Sequence, residues 1–200
     1  MDLRIDEQFS FIKEIDKEKN IFRQTYLSDG SRKENDSEHA WHMAIMTMIL
    51  SEYADEKIDV LKTIKMILIH DIVEIDAGDT YAYDEEGKLT QKEREEKAAD
   101  RIFGLLPVDQ GKELRCLWEE FEECNTPESK FAHAMDNIQP SMLTDAAEGK
   151  SWLEHGARLS WMLKRNESTE MGSHELWEYS KNNFILPNVK KGLIIDDTEK

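Results

Sequence analysis

The chain has 200 residues, 39% of them hydrophobic, and its 26 Lys plus Arg against 43 Asp plus Glu leave a formal charge of −17. That length and apolar content suffice for one generous domain with a real core, and four Pro and nine Gly argue against a disordered or collagen-like chain. The charge repels phosphate backbones and anionic lipid, which excludes nucleic-acid tracking and membrane-surface binding as leading functions but admits a small anion where a metal or a few arginines invert the sign locally.

Helical spacing recurs along the sequence and alternating strand patterns of any length are missing, so the expected fold class is all-α. A first helix is expected over 5–17, with Ile5, Phe9 and Ile12 beside Phe11 and Ile15. Residues 28–35 read as a polar connection turned at Asp29-Gly30, after which Asp36 or Ser37 caps a helix to about Tyr53, its inner side Met43, Met46, Leu50 and Tyr53. Met48 is expected with Met43 and Met46 in the core. A third helix from about Asp59 buries Val60, Leu61, Ile64, Ile67 and Leu68 and runs into His70-Asp71-Ile72-Val73-Glu74.

Residues 77–83 read as a loop, and Thr90 with Glu93 reads as a capping box opening a charged helix that points Ala98, Ile102 and Leu105 inward. Pro107 closes it, and a fifth helix carries Leu114, Leu117, Trp118 and Phe121. Thr126-Pro127 starts a sixth, burying Phe131, Met135, Ile138 and Met142, with Asp136 beside the stripe and Pro140 as a potential kink. Short helices are expected around 157–165 and 173–183. With no repeat and no linker rich in Pro, Gly or Ser, residues 1–200 are expected as a single domain, the informative motifs lying within 5–142 and 143–200 forming a C-terminal helical extension. Cys116 and Cys124 fit neither a disulfide framework nor a CxxC site and read as buried small hydrophobes. The start of the chain has no apolar signal core and no run approaches the ~18 apolar residues of a membrane span, so a cytoplasmic location is expected.

Four residues do not suit their helical surroundings: His39, the adjacent pair His70 and Asp71, and Asp136. A His-Asp pair at a helix end turns inward where the helix unwinds, and single ligands from two other helices complete a cluster in a bundle core. Two neutral imidazoles and two carboxylates supply charge −2, which neutralises one divalent cation. Mixed nitrogen and oxygen ligation without sulfur suits Mn²⁺, Co²⁺, Fe²⁺, Ni²⁺ or Zn²⁺ better than Ca²⁺ and leaves positions for water or a substrate oxygen.

The pattern resembles the HD-domain superfamily of metal-dependent phosphohydrolases. Arg32-Lys33-Glu34-Asn35-Asp36-Ser37-Glu38-His39 is similar to the R-x-E-N-x-[SA]-E-H block of the bacterial 5'-deoxynucleotidases and the relatives of HD-domain-containing protein 2, and His70-Asp71-Ile72-Val73-Glu74 followed by Gly78-Asp79 is similar to their H-D-x-x-E…G-D stretch. Lys130 to Asp136 resembles the segment bearing their last ligand. The resemblance implies a single-domain helical bundle with a central divalent ion on His39, His70, Asp71 and Asp136, and hydrolysis of a (deoxy)nucleoside 5'-monophosphate to nucleoside and phosphate. It implies Glu74 as the group that positions or deprotonates the attacking water, Asp79 as a catalytic carboxylate that orients water or protonates the leaving 5'-oxygen, with the two roles exchangeable, and a homodimer. Arg23 lies about where these enzymes keep an arginine for substrate phosphate, and Arg32 is a second candidate for neutralising substrate. Gln24 replaces the Trp that follows that arginine in the deoxynucleotidases, which leaves the sugar preference open.

His42 and His133, each three residues from an expected ligand, read as supporting or packing residues. The five Trp read as core or dimer contacts. Two other functions are compatible with such a chain: a non-catalytic metal- or nucleotide-binding module, and a di-iron oxygenase, which needs further His ligands than His42 and His133 readily offer.

Overall fold

The structure is a computed structural model and describes residues 3–79 and 85–198; the loop expected over 77–83 lies outside them from Thr80 onward. It is helical, as expected, with one exception near the start. Helix α1 (Leu3–Ile15) passes through a 3-10 turn into an antiparallel hairpin of β1 (Phe22–Tyr26) and β2 (Lys33–Asn35), which leads into α2 (Asp36–Leu50). The hairpin replaces the expected polar connection. Its register is irregular and its residues mostly half-exposed, so no clean alternation marks it; Gly30 at φ +67° and the Asp29 side chain accepting from the Ser31 N–H make the turn.

Asn35 caps α2, one residue before the expected pair. Its side chain accepts the Glu38 N–H at 2.9 Å while the Glu38 carboxylate accepts the Asn35 N–H at 3.1 Å, a reciprocal capping box. Asp36 is therefore not needed as a cap and is fully buried instead. Helix α3 (Val60–Ile69) starts at Asp59, whose carboxylate accepts the Lys62 N–H, and stops at His70-Asp71; a short turn then leads to α4 (Glu74–Ala77).

Helices α5 (Glu85–Phe103) and α6 (Val108–Glu123) form an outer layer, and α7 (Pro127–Ala146) runs through the middle, packed on α2, α3 and α6. Thr126 caps α7 and Pro127 opens it, as expected; the helix continues through Pro140. Phe131, Ala132, Ala134 and Met135 of α7 are fully buried against Met43, Met66, Ile67 and Ile102, each large side chain contributing about 1.5–3 kcal/mol of burial. The C-terminal segment folds back as α8 (Lys150–His155), α9 (Leu159–Arg165), α10 (Glu167–Gly172), α11 (His174–Ser180) and α12 (Leu186–Lys190) around a second core of Trp152, Leu159, Met162, Trp177 and Ile185. At Gly172 the backbones of α10 and α7 touch: a Cβ there would sit 2.3 Å from the Lys130 carbonyl oxygen.

Several inward assignments are corrected. On α1 it is Phe11 that is buried, while Ile5, Phe9 and Ile12 are exposed, because a short helix with apolar residues on two faces docks only one. Met48, Leu61 and Leu68 also face outward. Thr90 and Glu93 cap nothing, since α5 is already helical from Glu85. Cys116 is exposed and Cys124 half-buried. Trp118, Trp152 and Trp177 are core residues, whereas Trp41 is exposed.

Candidate metal centre and cleft

Three helices bring one ligand type each to a common point. Nitrogens of His39 on α2 and His70 at the end of α3 and a carboxylate oxygen of Asp136 on α7 all lie within 4.8 Å of one another. These residues are nearly or fully buried. Asp71, the fourth expected member, touches the cluster at one side: its Oδ2 is 3.0 Å from His70 Nε2 and accepts from Arg23 Nη1 at 2.7 Å.

The hydrogen bonds around the imidazoles settle which nitrogen faces inward. Gln139 Nε2 donates to Glu34 Oε2 at 2.9 Å, which leaves its Oε1 to accept from His39 Nδ1 at 3.0 Å and turns His39 Nε2 to Asp136 Oδ1, 3.1 Å away. His70 Nδ1 donates to the Ile67 carbonyl at 2.7 Å, one turn back on its own helix, and its Nε2 faces Asp71 Oδ2 at 3.0 Å. Imidazole nitrogens and carboxylate oxygens thus meet in a buried, acidic setting, an arrangement that calls for positive charge and fits a divalent ion. The titration directions agree. Burial opposes the imidazolium of His70, but Asp71 and Asp136 prevail and push it up to about 9. His39 is burdened by its burial and by Arg23, yet the hydrogen bonds to Asp136 and Glu34 raise it. Asp136 is held well below the usual carboxylate range, burial being outweighed by His39 and Arg165.

His70, Asp71 and Asp136 line a cleft of about 310 Å³ together with Arg23, Glu74, Asp79, Trp152 and Arg165, while His39 is fully buried beside them. Glu74 opens α4, is buried, and is pushed well up by that burial and by Asp71, Asp36 and Asp79 around it. Burial also pushes Asp79 up. Asp79 follows Gly78, whose φ of +76° turns the chain toward the cleft. Arg23, from β1, is set among four carboxylates: besides Asp71 it lies 3.5 Å from Asp36, 3.7 Å from Asp136 and 3.9 Å from Glu34. Its guanidinium is the internal counter-charge of the acidic floor.

Arg32 does not join the site. It is exposed and forms a two-pronged pair with Glu38, so the capping carboxylate of α2 takes the charge expected for substrate. His42 Nδ1 accepts from Gln139 and His133 Nε2 donates to the Phe121 carbonyl, against whose ring it stacks at 4.2 Å; neither enters the three-residue cluster among the described residues. Sequence reasoning missed Gln139 and Arg165. Gln139 reads as one more position of a buried helix, although its place three residues after Asp136 puts both on one face; Arg165 lies in the C-terminal segment beyond the motifs, and no local signal marks it.

Comparison with known proteins agrees with this geometry. The family model described as HD domain matches residues 15–177. A human protein named 5'-deoxynucleotidase HDDC2 is 36% identical over 124 residues, 62% of this chain and 58% of its own length, and 5'-deoxynucleotidase hdd1 of Schizosaccharomyces pombe is 29% identical over 122 residues, 58% and 60%. The chain thus spans somewhat over half the length of the curated relatives it matches. The crystal structure of a protein described as a predicted metal-dependent phosphohydrolase from Magnetospirillum magnetotacticum MS-1 superposes with a TM-score of 0.91 at 46% identity, covering 96% of this chain and 95% of that one.

Proposed function

Because the chain belongs to the HD domain family, we propose that it is a metal-dependent phosphohydrolase, a 5'-nucleotidase that converts (deoxy)nucleoside 5'-monophosphates to nucleoside and phosphate. The observation that carries this reading is the convergence of His39, His70 and Asp136 beside a cleft that His70 and Asp136 line with two further carboxylates, Glu74 and Asp79. The names of the matched relatives support the same chemistry.

In this reading His39, His70, Asp136 and Asp71 hold one divalent ion from the set Mn²⁺, Co²⁺, Fe²⁺, Ni²⁺ and Zn²⁺. When bound, such an ion supplies Lewis-acid polarisation of the phosphoryl group and acidifies water near it. Gln139 and the Ile67 carbonyl keep the two imidazoles in the tautomer that offers Nε2. Glu74, whose buried Oε2 lacks a hydrogen-bond partner, takes a proton from the attacking water as its oxygen bonds to phosphorus. Asp79 delivers a proton to the 5'-oxygen as the P–O bond breaks. Arg23 holds the acidic floor together and offers its remaining N–H groups to the phosphate.

The chain is proposed to work as one domain and as a homodimer. Trp41, Ile45, Met48 and Ile49 form an exposed apolar stripe at helical spacing on α2, a face that suits a second copy of itself. Two unpaired thiols support a reducing, cytoplasmic setting, and no helix among the described residues is long and apolar enough to cross a membrane.

The test is phosphate release from a panel of nucleoside 5'-monophosphates with each of the five ions. Turnover with at least one ion, lost in the chelated protein, is expected. No release from any member of the panel would remove the nucleotidase reading.

A further inference from the structure

The cleft is strongly acidic. Asp71, Glu74, Asp79, Glu95, Glu122 and Asp136 line it against Arg23 and Arg165, the two Lys or Arg side chains among its described lining residues. An anionic substrate has to be held against those acids, and cationic side chains of the lining are the protein groups able to hold it. Arg23 is poorly placed to do this alone: its side chain is only 12% exposed and is already shared among four acids.

Arg165 is placed differently. It ends α9, three residues after the buried Met162, so both lie on the helix face turned to the cleft. Its side chain is 34% exposed, and its Nη2 reaches Asp136 Oδ2 at 3.2 Å, the carboxylate oxygen opposite the one Arg23 approaches at 3.7 Å. The two guanidiniums therefore bracket Asp136 from its two sides. The backbone beneath is braced: Ser168 Oγ donates to the Arg165 carbonyl at 3.2 Å and accepts from Asn137 Nδ2 at 2.9 Å, one residue from Asp136 on α7. A guanidinium has five N–H donors, and one side-chain contact among the described residues, to a carboxylate oxygen of Asp136, leaves most of the fork for a planar or tetrahedral oxyanion.

We propose that Arg165 is a second anion-binding arm, gripping the phosphate of a phosphomonoester from the side of Asp136 away from Arg23. The inference rests on the reading of the cleft as a phosphomonoester site and deepens it by assigning a binding residue from the C-terminal segment. Asp136 then has two tasks: it offers one group to the ion and aims Arg165 at the oxyanion.

The experiment is calorimetric titration of inorganic phosphate into the Mn²⁺-saturated full chain, wild type against R165A and R165K, with Mn²⁺ affinity measured separately by electron paramagnetic resonance without phosphate. Phosphate affinity is expected to fall about tenfold or more in R165A, since a charge-assisted bond is removed. R165K is expected to recover part of it, because an ammonium restores the charge but not the fork. Mn²⁺ affinity is measured in the same variants because Arg165 touches the expected ligand Asp136, and phosphate affinities are compared only at Mn²⁺ saturation. Phosphate affinity in R165A within about twofold of wild type overturns the proposal, as does a wild type that binds no phosphate. If R165A does not fold, R165Q, which keeps the length and packing, is read by the same criteria. Arg165-dependent phosphate binding in a protein inert toward nucleoside monophosphates would uphold this inference and remove the nucleotidase reading; nucleotidase activity whose phosphate inhibition ignores Arg165 would do the opposite.

Discussion

Gln139 Oε1 accepts the His39 Nδ1 proton at 3.0 Å, deep in the protein where both side chains are fully buried. That bond turns Nε2 toward Asp136 Oδ1, 3.1 Å away, so a residue outside the expected ligand set shapes what the imidazole offers. Replacing Gln139 by Leu, close in volume but unable to accept, is expected to weaken Mn²⁺ binding about 10- to 100-fold. Nitrogen-15 shifts of the His39 ring in the chelated variant should show loss of the Nδ1–H tautomer. Unchanged shifts with unchanged affinity would contradict the assignment.

Removing a ligand and removing a proton carrier should separate. Asp71→Ala is expected to lose Mn²⁺ binding and activity together. Glu74→Gln is expected to keep Mn²⁺ binding and lose turnover by about 10²–10⁴-fold, the usual contribution of a positioned acid or base. Wild-type turnover in Glu74→Gln would show that the water is handled elsewhere.

The titration of His70 sets a pH window. Without a divalent ion its imidazole is raised from 6.5 to about 9, so its contribution to stability is complete below about pH 6.5 and is lost as pH rises through about 9. An ion competes with that proton. Mn²⁺ affinity is therefore expected to climb between about pH 6.5 and 9, with proton release measurable by calorimetry in two buffers of different ionisation enthalpy. A flat affinity over that window would show that His70 is neutral before the ion arrives.

The α2 stripe gives an assembly prediction. Ile45→Glu puts a charge in the middle of the exposed apolar face without touching the buried side of the helix. Sedimentation should show the wild type as a dimer and the variant as a monomer, with melting of the monomer otherwise near normal. A wild type that sediments as a monomer would rule out the self-association.

Gly172 tests how α10 is seated. Ala there would drive a methyl, fixed to the α10 backbone, into the backbone of Lys130 and Phe131 on α7, which cannot swing aside as a side chain would. A loss of about 1–3 kcal/mol is expected from overpacking of this kind, read as a lower melting temperature. Because α10 and Ser168 brace Arg165, phosphate binding should weaken with it. A melting temperature equal to wild type would mean the two helices are free to part.

The helical class, the start of α7 at Thr126-Pro127, the end of α3 at His70-Asp71 and the order of the metal-ligand candidates were all legible in the amino-acid order. These are local facts: caps, periodicity and residue chemistry are written within a few positions of one another. The choice of outward faces was decided only when the helices packed, since Ile12, Leu61 and Met48 are as apolar as their buried neighbours and differ from them only in what covers them. The hairpin, the tautomer of His39 and the placing of Arg165 on Asp136 were likewise tertiary. Each depends on groups that meet across the fold or on backbone turns without a periodic signal, and 29 positions separate Arg165 from Asp136. Arg32 shows the converse: its charge suited a phosphate, and the neighbouring Glu38, fixed in place by the cap of α2, neutralised it first.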